Sequence, residues 1–346
     1  MNYLQYRILI IPLAIIIGFV LDLVIGDPQR FPHPVRIIGR FSKIIEELLI
    51  NLKIRKKISG TIFASIIIIS TWLFIVVILL LSGLLYLINF YAFFLSVLIL
   101  LSFFVYTSLA VKDLKVECMK VYHDLKNNDI ASARQSLSMI VGRDTERLDR
   151  SSIIKATVET ISENCVDGIL SPLFYAFLGG PALALAFKAS STLDSMYGYK
   201  NKKYIQFGCA SAKIDDWANF IPARLSIILL PLASLFYGRG FMPAFNTIKK
   251  YRRNSPSPNS GIPEAAIAGA LDLQLGGEIS YRGISQVKPV IGEKRKDFEL
   301  KDIIDAIKIV YIFSFTGFFV GLLLYAAAIA LFLYFADLGI NIFFKI

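Results

Sequence analysis

Hydrophobic residues in this chain are gathered into long runs that short polar segments separate. The longest run, from Ile58 to Val111, has no charged residue in 54 positions. One helix of that length would be roughly 80 Å long, whereas the apolar core of a bilayer is ~30 Å thick. The run therefore predicts two helices that fold back on each other, with a turn between Ser82 and Tyr91. Another 28 uncharged residues run from Ile309 to Ala336, and the pattern as a whole predicts an integral membrane protein.

The apolar runs predict four clear membrane spans, at residues 8–26, 61–82, 89–111 and 309–336. Two other apolar stretches, 168–187 and 220–238, are shorter or broken. The first contains Gly179-Gly180-Pro181. The second contains Pro231, and its uncharged part, 225–238, is only fourteen residues long. We expect both to enter the membrane and return, packed against other helices so that broken backbone does not face lipid. Six full spans are the alternative.

The distribution of basic residues predicts which segments face the cytoplasm. The loop 27–59 carries eight Lys/Arg against three Asp/Glu, and residues 239–308 carry twelve against eight. The positive-inside rule places both in the cytoplasm together with 112–167, and the N-terminus outside. This bias accounts for the net charge of +11, so we expect no nucleic-acid partner. The fold class is an all-α, polytopic protein of the cell membrane: one domain, 1–346, with cytoplasmic helical loops and a cytoplasmic active face.

Local signals place three helices in the polar segments. Asp129, after Asn127-Asn128, is a suitable N-cap for a helix. Another helix is predicted to begin near 148–152 and to end at about Cys165. A third, Glu264–Leu271, follows a turn rich in Pro, Asn and Gly.

The common signatures of nucleotide, dinucleotide and zinc sites are absent. The chain has no G-x-x-x-x-G-K-[ST], no G-x-G-x-x-G after a strand and no H-E-x-x-H. Its two histidines are His33 and His123, and its three cysteines form no C-x-x-C pair. Histidine-rich metal sites and disulfide frameworks are thereby excluded. His33 lies between two prolines, which favours a structural role in a loop.

Polar residues are concentrated in four clusters beside the apolar runs. The first follows the first span and contains Asp27, His33 and Arg36. The second joins 142–145 to a helix on which Glu159, Glu163 and Asp167 share one face. Carboxylates aligned in this way repel one another, so they need either Mg²⁺ or neighbouring counter-charges. Lys155 and Arg143 are the candidate counter-charges, and spacing alone leaves both interpretations open.

The third cluster contains Lys188, Asp194 and the pair Asp215-Asp216. Asn219, three residues after that pair, completes a possible magnesium-binding face, or the pair belongs to the acidic start of a helix. The fourth cluster, 257–264, leads into a helix and is either an anion site or a plain capped loop. Ionisable groups near lipid are costly, and four such clusters indicate function.

These clusters lie in segments that closely resemble the CbiB/CobD family of cobalamin biosynthesis, the adenosylcobinamide-phosphate synthases. The matching segments, spread over nearly the whole chain, are LDLVIGDPQRFPHPVRIIGR (21–40), VGRDTERLD (141–149), ATVETISENCVDGILSPLFYAFLGG (156–180), FKASSTLDSMYGY (187–199), FGCASAKIDDWANFIPARL (207–225) and SPNSGIPEAAIAGALDLQLGG (257–277).

The resemblance implies an ATP-dependent ligation in which adenosylcobyric acid is joined to (R)-1-amino-2-propanol or its O-phosphate through an amide. It implies ATP and Mg²⁺ as requirements, the corrinoid as substrate rather than cofactor, and membrane lipid and other late cobalamin-assembly enzymes as partners. Because a P-loop is absent, the ATP site must be of another type, and the sequence does not locate it. A corrinoid transporter and a non-catalytic anchor of a corrinoid assembly are the alternatives; transport predicts charges at mid-span, whereas only Asp22 lies inside a clear span.

On this basis the candidate residues fall into three groups. The expected catalytic residues are Arg143, Asp144, Lys188, Asp194, Asn259 and Glu264. The expected substrate- or nucleotide-binding residues are Asp27, His33, Arg36, Thr145, Asn164, Ser195, Asn219, Arg224 and Ser260. The expected metal ligands are Glu159, Glu163, Asp167, Asp215 and Asp216.

Overall fold

The computed structural model describes residues 3–28, 33–51, 54–198, 203–281 and 283–343, with side chains between residues 9 and 335 of those ranges. These residues are mainly helical, as the sequence predicts. The helices are α1 Tyr3–Ile25, α2 Pro34–Ile50, α3 Lys56–Ser82, α4 Phe90–Tyr106, α5 Val111–Lys126, α6 Ile130–Ser138, α7 Arg150–Cys165, α8 Ser171–Tyr197, α9 Cys209–Ala218, α10 Phe220–Phe236, α11 Phe241–Tyr251, α12 Gly261–Leu271 and α13 Lys301–Phe343.

The longest hydrophobic run folds back on itself, which confirms the prediction of two helices. Helices α3 and α4 are joined by a single 3₁₀ turn, Gly83–Leu87. Asn89 caps α4, since its side chain accepts a 3.1 Å hydrogen bond from the amide of Ala92. In the described part of the chain, four helical segments are long and apolar enough to cross a membrane, or five if α9 and α10 count as one bent span. The chain is therefore an all-α, polytopic membrane protein.

The first of the two shorter apolar stretches contains a break, and a bend in the chain directly precedes the second. Helix α8 loses helical geometry at Gly179 and Gly180, where Gly180 has φ +71° and Pro181 follows. Helices α9 and α10 meet at Asn219 with a bend of 44°. The break in α8 lies at the sequence Gly179-Gly180-Pro181, and the bend at Asn219 directly precedes the second apolar stretch. Their re-entry into the membrane, like the cytoplasmic location of the loops, stays a prediction.

The helices that the polar segments form, α5, α6, α7 and α12, contribute buried side chains to one large hydrophobic core. Asp129 caps α6 by accepting a 2.9 Å hydrogen bond from the amide of Ser132. Asp149 does the same for α7 at 2.8 Å, and that helix ends at Cys165. Both predicted helices are thereby confirmed, and α12 begins three residues before its predicted start.

A π-helical turn, Val166–Leu170, connects α7 to α8 without interrupting the chain of hydrogen bonds. Such turns accommodate one extra residue in a helix and change the direction of the side chains that follow. Asp167 lies within this turn. The turn therefore decides where this carboxylate points relative to Glu159 and Glu163 on α7.

A β-hairpin that the sequence pattern did not predict follows α12. Strands β1 (Gln274–Tyr281) and β2 (Ile284–Gly292) are antiparallel, with an irregularity between Leu275 and Gly277. Gly276 has φ +82°, and a Cβ there would lie 2.4 Å from the carbonyl oxygen of Pro289. Glycine is therefore required at the point where β1 bends towards α7.

Candidate active site

The hairpin joins the second polar cluster to the rest of the site. The amide of Asp144 donates to the carbonyl of Ser280 at 2.9 Å. The Asp144 carboxylate accepts hydrogen bonds from the Ser280 hydroxyl and the Gly283 amide, each at 2.7 Å. On the other side, Lys155 of α7 donates to the carbonyl of Gly276 at 2.8 Å. Asp144 thus holds the hairpin against the loop that precedes α7.

Glu159 is fully buried beneath the hairpin and has a partner at each oxygen. One oxygen lies 2.5 Å from a guanidinium nitrogen of Arg143, and the other accepts a 2.6 Å bond from the amide of Gly276. Burial acts to lower the pKa of Arg143, but the neighbouring Glu159 outweighs it and raises that pKa. Arg143 already balances the charge of Glu159, and the pair positions the hairpin; the metal role of Glu159 stays a prediction.

Lys288 of β2 links the second cluster to the fourth. Its ammonium nitrogen lies 3.1 Å from a carboxylate oxygen of Glu163 and 3.0 Å from one of Glu264. The side chain of Glu264 is completely buried. Burial, and then the charge of Glu163, raise the pKa of Glu264 well above its usual range. Although burial opposes its charge, Lys288 has a raised pKa because these carboxylates surround it.

Two carboxylates of the stripe on α7 are therefore balanced by protein cations, the second of the alternatives left open by spacing. Arg143 serves Glu159, as predicted, and Lys288 serves Glu163, whereas Lys155 bonds to the backbone instead. Across the described ranges, no three Asp, Glu, His or Cys side chains are arranged to hold a metal ion alone. The metal roles of Glu163 and Asp167 stay predictions.

Four aspartates form a second group, the acidic cluster: Asp167, Asp194, Asp215 and Asp216. Asp167 is close enough to Asp194 and Asp216 for their charges to interact, and so is Asp215 to Asp167. Asp215 is 8% exposed, and one of its oxygens is buried without a hydrogen-bond partner. The other accepts a 3.0 Å bond from Asn219, whose own carbonyl accepts from Ser171 at 2.5 Å. An orphaned buried oxygen beside other carboxylates suits an oxygen-ligated cation, provided that a substrate supplies further ligands.

Lys188 lies where the first, second and third clusters meet. Its charge interacts with those of Asp27, Asp167 and Asp215, which come from three separate segments of the chain. It also lines a cavity of about 570 Å³ together with Asp27, His33 and Arg36. We call this space the Lys188 cavity. It brings together three of the substrate-binding residues predicted from the sequence and one of the catalytic residues.

His33 combines a structural role with a place in this cavity. It caps α2, since its Nδ1 accepts a 3.3 Å bond from the amide of Val35. An accepting Nδ1 leaves the proton on Nε2, which faces a carboxylate oxygen of Asp27 at 3.0 Å. The amide of Asp27 in turn donates to Asp113 at 3.0 Å. His33 therefore fixes the position of Asp27 as well as the start of α2.

Arg224 and Asn259 belong to a second cavity, on the other side of the acidic cluster. Asn259 donates to the backbone carbonyl of Asp216 at 2.8 Å and accepts from Arg224 at 2.6 Å. Arg224, Arg252 and Arg253 line a space of about 430 Å³, which we call the arginine cavity. Arg252, Arg253 and Lys288 of the hairpin are not among the residues predicted from the sequence. Two adjacent arginines beside a turn-rich segment were the available signal.

The remaining candidates lie outside these contacts or support them. Thr145 is buried, and Ser260 shares a 2.7 Å hydrogen bond with Ser255 beside the arginine cavity. Ser195 and Asn164 are exposed, and the amide of Asn164 bonds back to the carbonyl of Thr160 at 3.0 Å. Arg36 donates to the carbonyl of Pro28 at 2.8 Å. The structure thus brings the four clusters together but leaves Ser195 at the surface.

Comparison with known proteins gives consistent results along the chain. The model of the family described as CobD/Cbib protein matches residues 15–310. A protein of Leptospira interrogans named cobalamin biosynthesis protein CobD is 40% identical over 328 residues, which cover 92% of this chain and 98% of the relative. The protein of the same name from Clostridium perfringens is 44% identical over 315 residues, covering 90% and 97%.

A third protein of that name, from Listeria monocytogenes serotype 4b, is 40% identical over 310 residues, or 88% of this chain and 95% of the relative. No solved structure matches the chain. The family match takes in all four polar clusters and the hairpin that joins them. By sequence, and with each polar cluster inside the matched segment, the chain belongs to the CobD/CbiB family.

Proposed function

We propose that this membrane protein is the ATP-dependent ligase that joins the propionate carboxylate of adenosylcobyric acid to (R)-1-amino-2-propanol or its O-phosphate. Its role in cobalamin biosynthesis follows from its family. The observation that carries the finer proposal is the convergence of the first three polar clusters around Lys188 and Asp167, with the fourth joined to them through the bond from Ser257 to Asp216. A reaction that must bring together two charged substrates and a nucleotide needs such a meeting point.

The chemistry requires activation of the carboxylate before an amide can form. Transfer of the γ-phosphoryl group of ATP to the propionate oxygen gives an acyl phosphate and ADP. The neutral amine then attacks the acyl carbon, phosphate leaves, and the amine proton passes to a base. The first step therefore needs cations around the phosphoryl group. The second step needs a carboxylate near the amine to accept its proton.

We propose that Lys188 binds the reacting carboxylate. It lines the Lys188 cavity beside Asp27 and Arg36, and its charge also interacts with that of Asp167. A volume of about 570 Å³ suits a small molecule or one side arm of a larger one. We propose that the corrinoid lies across the mouth and that its propionate enters. Lys188 would then stabilise the negative charge that develops on the transferring phosphoryl group.

We propose that the acidic cluster holds Mg²⁺ bound to ATP. Magnesium sites of this kind use one or two carboxylates, and the phosphates and water supply the other ligands. Asp215, with its unpartnered oxygen, and Asp216 are the proposed ligands. When bound, the ion would neutralise phosphate charge and orient the γ-phosphoryl group. Glu264 and Glu163, which share Lys288, are the proposed base for the amine proton.

Purified full-length protein in detergent tests the proposal. We expect adenosylcobyric acid, ATP and Mg²⁺ to give an amide with one of the two amines, with one ADP for each amide. Hydroxylamine in place of the amine should trap the acyl phosphate as a hydroxamate. Lys188→Met should yield neither hydroxamate nor ADP, whereas Lys308→Met, at an exposed position, should react as the unaltered protein does.

Two outcomes would contradict the proposal. An unaltered protein that binds the corrinoid but forms neither ADP nor amide would favour a membrane anchor. Corrinoid-dependent uptake into vesicles without amide formation would favour a transporter. Activity of Lys188→Met equal to that of Lys308→Met would remove Lys188 from the mechanism.

A further inference from the structure

The arginine cavity has an excess of positive charge that the protein does not balance. Arg224, Arg252 and Arg253 line it together with the hydroxyl-bearing Ser255 and Ser257. Arg224 and Arg252 are close enough for their charges to repel each other. Among the described residues, neither Arg252 nor Arg253 has a carboxylate within ion-pairing distance, although Arg143, Arg239 and Arg295 each have at least one. Three guanidinium groups around one space favour an anion with several oxygens.

Arg224 is fixed in its position by the fold. Its guanidinium carbon lies 3.6 Å from the centre of the Phe220 ring, and one nitrogen donates to Asn259 at 2.6 Å. Asn259 is 5% exposed and is itself held by the backbone of Asp216. A guanidinium prepared in this way loses little freedom when it binds an anion. The cavity is therefore a built site and not a chance meeting of flexible side chains.

The same contacts connect the cavity to the acidic cluster. Asp216 accepts a 3.1 Å bond from Ser257, which lines the cavity, and its charge interacts with that of Asp167. Cations on one side of Asp216 and carboxylates on the other are the arrangement that a phosphate chain with a bound divalent cation requires. A phosphate group in the cavity would thus lie next to the proposed magnesium ligands.

The size of the cavity limits what it can hold. Its volume of about 430 Å³ lies in the range of small-molecule sites, about 300–1,000 Å³, and is too small for a corrinoid. Most of its lining residues belong to the segment between α11 and α12, and α10 contributes Arg224 and Ile227. The ligand is therefore a small phosphorylated compound.

We infer that the arginine cavity binds the phosphate end of a phosphorylated substrate through Arg224, Arg252 and Arg253. This inference rests on the proposed ligation, which offers two sources of that chemistry: the triphosphate of ATP and the phosphate of aminopropanol O-phosphate. Both present a terminal, multiply charged phosphoryl group to the same guanidinium groups. In a chain without a P-loop, the cavity supplies the phosphate-binding cations that the reaction needs.

Equilibrium binding of ATP and of aminopropanol O-phosphate to the full-length protein in detergent tests the inference. Arg252→Gln/Arg253→Gln removes two charges at positions without a carboxylate partner, so the fold should persist, as an unchanged thermal midpoint would show. We expect binding of one of the two compounds to weaken about tenfold or more. Arg252→Lys/Arg253→Lys should recover part of that loss, and Arg147→Gln, an exposed arginine elsewhere, should bind as the unaltered protein does.

The two arms distinguish the sources. Weaker binding of ATP alone assigns the cavity to the triphosphate, and weaker binding of the phosphorylated amine alone assigns it to the amine. Unchanged binding of both compounds in the double variant, or no binding of either by the unaltered protein, overturns the inference. If phosphate binding depends on the arginines but no amide forms, the proposed ligation is refuted and the phosphate site stands. If the amide forms but the double variant binds both compounds as the unaltered protein does, the ligation stands and the phosphate site is refuted.

Discussion

The ammonium nitrogen of Lys288 lies 3.0 Å from a carboxylate oxygen of Glu264, although the two residues come from different elements. Glu264 lies in the first turn of α12, and Lys288 lies near the middle of β2. The contact holds the hairpin against a completely buried carboxylate. It also brings Glu163 of α7 to the same cation at 3.1 Å, so three segments of the chain meet at one charge.

Replacement of Glu264 by glutamine should change how stability depends on pH. Burial and Glu163 raise the pKa of Glu264 above its ordinary value of 4.5. A carboxyl of this kind contributes most to stability below 4.5, and the contribution is lost as pH rises through the folded-state pKa. The unaltered protein should therefore lose up to ~1.4 kcal/mol per pH unit in that interval. In Glu264→Gln that loss should be absent. Thermal midpoints of both proteins in detergent between pH 5 and 9 measure this difference. Parallel plots of the midpoint against pH for the two proteins would contradict the prediction.

Arg143→Ala should destabilise the protein, since it leaves the fully buried Glu159 without its cation. Removal of one partner of a buried pair typically costs about 3–5 kcal/mol. Arg143→Met/Glu159→Gln should recover most of this loss, because a neutral amide can still accept from Gly276. We expect the double variant to regain hydroxamate formation too, since the pair positions the hairpin. A stable double variant without hydroxamate would instead place Arg143 at the phosphate.

Asp215→Asn should raise the Mg²⁺ concentration needed for half-maximal activity about tenfold or more, because the amide keeps the shape of the side chain but loses its charge. The bond to Asn219 can persist through the remaining oxygen. Asp297→Asn, an exposed residue paired with Lys294, is the matched control. An unchanged magnesium requirement would remove Asp215 from the proposed metal site.

The predicted orientation can be tested by cysteine labelling in intact cells. Cys118 and Cys165 are buried, so only Cys209 needs replacement by serine to lower the background. Single cysteines at Arg55 and Lys294, both exposed, should resist a reagent that cannot cross the membrane. A cysteine at Ile88, which is 82% exposed between α3 and α4, should react. Labelling at Lys294 together with protection at Ile88 would invert the topology.

The helices of this fold follow from local signals, which explains why they could be predicted. Asp129 caps α6 through the amide of Ser132, three residues later. The uncharged run from Ile58 must turn once to fit a bilayer. The pairing of Glu159 with Arg143 was one of two interpretations that spacing allowed. Each of these predictions depends on residues close together in the sequence.

The contacts that the sequence did not reveal are non-local. Lys288 of β2 meets Glu163 of α7 across 125 positions. The hairpin itself was missed although Ile279, Ile284 and Val287 are typical strand residues. Strand β1 also contains Gly276 and Gly277, and β2 contains Pro289, which are uncommon within strands. Arg252 and Arg253 contributed to the basic bias of a predicted cytoplasmic loop, which concealed their place in a cavity.

The alternation of β2 restricts how the length of the hairpin can vary during evolution. Lys288 points inward to Glu264, whereas its neighbour Val287 is 77% exposed. Because successive strand residues face opposite sides, deletion of one residue before Lys288 would place an apolar side chain against a buried carboxylate. Pairs of residues can be gained or lost without exchanging the two faces. Length changes of even parity are therefore the ones we expect between the tip of the hairpin and Lys288.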